Sequence, residues 1–147
     1  MIKHLLSTAI VIGFAASAIA QPTLDPSRAI GLTPDKIQWK KGEANDTAWP
    51  IGDPTKPGLC LELIKWHPTH FSHPHYHSNA RYAVVLSGEI DMPLDDQVVT
   101  LRAGDVLVQR GTIHNWVNRG TVPCVIAFVL IDARPVEHDG KPLKAHG

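Results

Sequence analysis

An all-β fold, a sandwich or barrel of about eight short strands, is predicted for this 147-residue chain by three observations. From Gly58 onward, short runs of β-favouring residues alternate with turn signals. No segment carries the apolar repeat of an amphipathic helix of ten or more residues. Twelve prolines interrupt the chain, six of them between residues 21 and 57, and proline breaks helices and ladders alike. The length and the lack of an internal repeat predict one domain.

The N-terminus has a secretory pattern. Lys3 precedes an apolar run, Leu5 to Ala20, that ends in Ala18-Ile19-Ala20, an A-x-A cleavage signal before Gln21. The run is shorter than the roughly 20 residues that span a bilayer. Residues 1–20 are therefore expected to be a signal peptide, and the chain periplasmic or secreted. Residues 21–57 read as a proline-rich arm wrapping the barrel, with Ile37 to Lys40 as a candidate edge strand. The barrel is expected over 58–133 and a polar tail over 134–147.

Within the barrel the elements follow in order. Leu59 to Trp66 alternates as a strand. A histidine-rich segment follows. Arg81 to Leu86 is strongly β-like and ends at Ser87-Gly88. Glu89 to Leu94 and Gln97 to Leu101 flank Asp95-Asp96 as a hairpin. Ala103-Gly104-Asp105 turns the chain into Val106-Leu107-Val108. Thr112 to Val117 reads as a strand, and Asn118-Arg119-Gly120 as a turn. Val125 to Ile131 reads as a buried strand from its unbroken apolar run.

Formal charge is balanced, with 14 basic and 14 acidic side chains; without Lys3 the balance is one negative charge. No basic patch suggests nucleic acid, and no later segment suits a membrane span. The expected partners are a small-molecule ligand or substrate, a metal ion, or a second copy of the chain as a homodimer.

Five of the nine histidines lie between His67 and His77. His75 and His77 are one residue apart, so on an extended strand both rings leave one face. His114 sits in a second strand-like run, and neutral imidazole ligates Zn, Fe, Cu or Ni. His75, His77 and His114 are therefore the candidate ligands of one divalent metal. Three neutral ligands leave the ion's charge uncompensated, which favours an anionic water or substrate. His67, His70 and His73 share a proline-broken stretch and read as solvated rim histidines, with His73 the reserve ligand.

These residues resemble the cupin superfamily. Its first motif, G-x5-H-x-H-x3,4-E-x6-G, is matched by His75, His77 and Gly88. Its second, G-x5-P-x-G-x2-H-x3-N, is matched by Gly104, Gly111, His114 and Asn118. The resemblance implies a jelly-roll β-barrel, and the flanking strands extend it over residues 58–131. Three departures stand out: Arg81 occupies the glutamate position, Gln109 the proline position, and the second motif is one residue short. Arg81 cannot ligate a metal. It either points outward, pairing with Asp91, Asp95 or Asp96, or holds a substrate carboxylate beside the metal. Glu62 is a candidate for the missing carboxylate ligand. Trp116 shares the face of His114 and is a candidate wall of the substrate pocket.

The resulting expectation is a metal-binding exported cupin acting on a small organic molecule through one divalent ion (Fe, Zn, Mn or Ni). The reaction would be of Fe(II) dioxygenase or isomerase/lyase type; the alternative is a non-catalytic module that binds a small ligand or senses metal. Cys60 and Cys124 invite a disulfide. They begin two strands expected to pair antiparallel, so they should lie about 20 Å apart, beyond the roughly 7 Å a disulfide allows.

Overall fold

In the computed structural model the described residues are 29–131 and 137–142. The expected signal peptide, residues 21–28 of the arm, and residues 132–136 and 143–147 lie outside them. Nine strands are described: β1 (Asn45–Ile51), β2 (Cys60–Trp66), β3 (Arg81–Ser87), β4 (Glu89–Pro93), β5 (Val98–Arg102), β6 (Val106–Gln109), β7 (Cys124–Leu130), β8 (Glu137–His138) and β9 (Lys141–Pro142). The only helical turn among them is Pro34–Lys36.

β1, β2, β7, β3 and β6 form one antiparallel sheet in that order. β4 and β5 pair as the predicted hairpin, closed by Leu94 N–H donating to the Gln97 carbonyl at 2.8 Å. The opposite layer is completed by irregular backbone. Val117 exchanges hydrogen bonds with Asp91 of β4, and His114 exchanges them with His75. Thr112 to Val117, expected as a strand, thus makes isolated bridges only, yet keeps strand parity: His114, Trp116 and Asn118 are buried while their neighbours are not.

The core lies between the layers. Trp66, Val85, Ile126 and Phe128 from the large sheet meet Ile90, Met92, Leu101 and Trp116 from the other side. Each such side chain contributes about 1.5–3 kcal/mol by burial. β7 sits centrally, but alternate residues face outward and Val129 is 37% exposed. Its unbroken apolar run therefore does not mean burial on both faces. Gly88 makes the β3–β4 turn at φ +78°, where a Cβ would sit 2.6 Å from the Pro123 carbonyl oxygen. No other residue type fits there without displacing β7.

The arm departs from expectation. Residues 45–51 form β1, an edge strand of the main sheet, and Ile37 to Lys40 contributes only the Lys40–Thr47 bridge. Pro50 is tolerated because β1 is an edge and the register shifts between Ala48 and Ile51. Asp46, 2% exposed, anchors this strand. It accepts from Lys41 at 2.7 Å and from His67 Nε2 at 3.0 Å. Burial pushes the Asp46 carboxyl up, but Lys41 and His67 overcome that and the net direction is down. A depressed carboxyl stabilises the fold above its unfolded value near 3.9 and loses that contribution as pH falls through the folded value. Asp46→Ala should therefore cost about 1–3 kcal/mol at pH 7, and less in acid. Urea unfolding at pH 7 and pH 3 measures both.

Cys60 pairs with Leu130 and Cys124 with Trp66, so the two cysteines stand at opposite ends of the β2–β7 ladder. Both are buried free thiols. Burial raises both, Cys124 to about 11, which holds them protonated and unreactive at neutral pH. Denatured but unreduced protein should titrate two thiols per chain.

Candidate metal centre

His75, His77 and His114 come together. One ligand atom from each lies within 4.8 Å of the others, and the ring centroids are 4.4–5.2 Å apart. The backbone bridge between His75 and His114 holds two of the three in register across the irregular layer.

The tautomers follow from the hydrogen bonds. His114 Nδ1 lies 2.8 Å from the Thr112 carbonyl and His75 Nδ1 lies 2.8 Å from the His73 carbonyl. A carbonyl only accepts, so each Nδ1 carries a proton, and the neutral form of each ring offers its lone pair at Nε2. His114 is 2% exposed, and its Nε2 is buried with no hydrogen-bond partner. A buried lone pair facing two other imidazoles fits a cation. Burial also lowers His114, and burial with the Arg81 charge lowers His77 to about 3, so both rings are neutral at pH 7. Neutral imidazole is the ligating form. The residues present therefore fit one divalent ion.

Trp116 is 3% exposed and packs edge-on between the His114 ring, at 6.1 Å, and Phe128, at 5.9 Å. It fixes the His114 ring from the core side and is not among the residues lining the neighbouring cleft. Asn118, fully buried, donates to the Trp66 and Val122 carbonyls and accepts from Gly120 N–H, closing the turn behind the site.

Arg81 shares the inward parity of Ala83 and Val85. It does not reach Asp91, Asp95 or Asp96. Asp91 is taken by Arg119 at 3.0 Å and Thr100 at 2.7 Å. Arg81 instead meets Glu62 across the inner face, Nη1 to Oε2 3.4 Å. Glu62 is thus paired with Arg81 and is not part of the histidine group. Burial raises Glu62, Arg81 opposing; burial also lowers Arg81, which stays charged.

Arg81 and His77 line a cleft of about 210 Å³ with Cys60, Leu130, Lys56 and Ser78. His73 is exposed and stacks edge-on with Phe71. His70 bonds the Pro68 carbonyl, and His67 is the Asp46 partner described above. The sequence reading missed that last role. The signal was Asp46, a charged residue that shares the buried strand face of Ala48 and Pro50.

The family model described as "Cupin domain" matches residues 62–131. The phomopsin biosynthesis cluster protein C' of Diaporthe leptostromiformis is 42% identical over 96 residues, 64% of this chain and 51% of that protein. The cupin-domain-containing oxidoreductase fogC of Aspergillus ruber is 36% identical over 95 residues, 62% of this chain and 47% of that protein. This chain spans about half the length of the curated relatives it matches. Among solved structures, the polyketide cyclase RemF from Streptomyces resistomycificus superposes with a TM-score of 0.62 at 18% identity, covering 75% of this chain and 81% of that one. That similarity shows the fold alone. The strand order, the paired histidine segments and the matched family model converge, and the chain belongs to the cupin superfamily through residues 62–131.

Proposed function

We propose that this cupin domain holds one divalent metal ion on His75, His77 and His114 and acts on a small organic molecule entering by the adjacent cleft. The carrying observation is the buried, partnerless Nε2 of His114, facing the other two imidazoles. When bound, such an ion supplies Lewis acidity, and iron adds redox chemistry. The chain's own residues do the rest. Thr112 and His73 carbonyls fix the His114 and His75 rings, Trp116 packs against the His114 ring, and Arg81 offers hydrogen-bond donors to an anionic oxygen beside His77. Relatives carrying the description oxidoreductase support the oxidative form of this reading.

The test is oxygen uptake by the Fe(II)-loaded chain with diketones, phenols and thiols. Uptake that requires both iron and His114 is expected. A ligand that raises the melting temperature with no turnover on any metal would instead establish a binding module. We also propose export, resting on Lys3, the apolar run and Ala18-Ile19-Ala20. Mass spectrometry of protein made in its native host should find Gln21 at the N-terminus; Met1 retained in a membrane fraction would contradict it.

A further inference from the structure

Glu62 and Arg81 meet on the inner face of the main sheet, across β7. Their contact is loose. Nη1 comes to 3.4 Å from Oε2, where a charge-assisted pair closes to about 2.7–2.9 Å and arginine often grips a carboxylate with two donors. The guanidinium has more N–H donors than this single contact uses. Arg81 also lines the cleft beside His77, and Glu62 is not among the lining residues. Of the described residues lining the cleft, Arg81 and Lys56 are cationic and none is acidic. Lys56 is largely solvated and already pairs with Asp53 at 3.0 Å. Arg81 is therefore the group that touches both the cleft and a carboxylate outside it.

The charge on Glu62 depends on that arginine. On its own strand the neighbouring titratable group is Cys60, a thiol held protonated; β7 presents Phe128 and β1 the Trp49 indole. Arg81 of β3 supplies the charge that acts on it. Burial pushes the Glu62 carboxyl up, with Arg81 and the Trp49 indole opposing. Its side chain is 14% exposed, so a carboxylate there that loses its cation does not stay ionised at low cost.

We infer that Glu62 is an internal counter-ion that an anionic ligand displaces from Arg81, and that such binding takes up a proton at Glu62. This rests on the reading above that the cleft admits an anionic oxygen beside His77. A carboxylate seated on the guanidinium competes with Glu62 for the same donors and adds a second negative charge nearby. Both effects favour the neutral form of Glu62, so a proton from solvent settles on its carboxyl as the ligand binds. By linkage, affinity rises as pH falls through the Glu62 midpoint of the bound protein and levels off below that of the free protein. Glu62 is thus a positioning residue. It holds the guanidinium before a ligand arrives and makes the ligand's affinity depend on pH.

The probe is pyruvate, a carboxylate that stays ionised from pH 5 to pH 8, titrated into the full chain with and without zinc. In the metal-free chain, wild type should gain about five- to tenfold more affinity from pH 8 to pH 5 than Glu62→Gln does, which matches a displacement of the Glu62 midpoint by about one unit. The histidines are common to both proteins, so the comparison isolates Glu62. At pH 8 the variant should bind more tightly than wild type, because no carboxylate competes for Arg81. Carbon-13 NMR of the Glu62 carboxyl in wild type needs no variant to fold: its titration should move to higher pH when pyruvate is added. An unmoved titration with pyruvate bound, the same pH dependence in both proteins, or no pyruvate binding by either would overturn the coupling. If zinc fails to bind while the pH difference persists in the metal-free chain, the metal reading falls and the coupling stands. If zinc and pyruvate both bind with no pH difference, the coupling falls and the metal reading stands.

Discussion

Replacing His114 by alanine should lower divalent-metal affinity by about a thousandfold, well beyond the 10–100-fold typical of losing an outer partner of a ligand. His114 is the buried member of the trio. Its ring is held by the Thr112 carbonyl on one edge and by Trp116 against one side, so its Nε2 is preorganised. Alanine leaves two half-buried ligands and a void beside Trp116. The void should cost about 2 kcal/mol of stability in the metal-free protein. Replacing His70 should change affinity less than threefold, since that ring bonds its own loop at the Pro68 carbonyl and stands outside the trio. Competition titration against a metal chelator, with melting of both metal-free variants, separates the ligand effect from the packing effect.

Replacing Arg81 by glutamate should shift a locally neutral pair toward cation binding. In the wild-type protein Arg81 and Glu62 neutralise each other on the inner face, with side chains 25% and 14% exposed. The variant places two carboxylates there. Like charges in a poorly hydrated site cannot both ionise at low cost, so one should take up a proton or a cation. In the metal-free state this should cost about 2–4 kcal/mol at neutral pH, because the buried Glu62 charge loses its partner. Destabilisation should ease in acid, where the pair protonates. Divalent-metal affinity should rise, by about tenfold if the new carboxylate reaches the ion, while binding of any carboxylate ligand should weaken. Arg81→Gln is the companion variant: it removes the charge without adding one and should weaken carboxylate binding alone. Unchanged metal and ligand affinities in both variants would place Arg81 outside the site's chemistry.

Much of the barrel could be read from the chain because strand periodicity and turn chemistry act locally. Arg81 to Ser87 and the hairpin around Asp95-Asp96 form as expected, and Gly88 sits where only glycine fits. The pairing of His75 with His77 follows from period-two geometry, and His114 from its place in a second extended run. β1 was hidden because Asn45, Asp46 and Pro50 all disfavour strands. Tertiary pairing with β2, and the ion pairs at Asp46, override that preference. The Arg81–Glu62 pair was hidden for another reason. It depends on the order β2-β7-β3, a long-range arrangement that brings residues 19 apart in sequence across one intervening strand. The buried state of Gln109 escaped notice because a glutamine near a strand end reads as solvent-facing, and only the sheet register reveals the face it occupies.

X-ray absorption of the zinc-loaded chain tests the metal centre most directly, because it counts ligands without assuming an activity. One zinc per chain is expected, with three imidazole nitrogens at about 2.0–2.1 Å and the remaining shell filled by oxygen. A spectrum with fewer than two imidazoles, with sulfur in the shell, or with the same three-imidazole signature in the His114→Ala protein would contradict it.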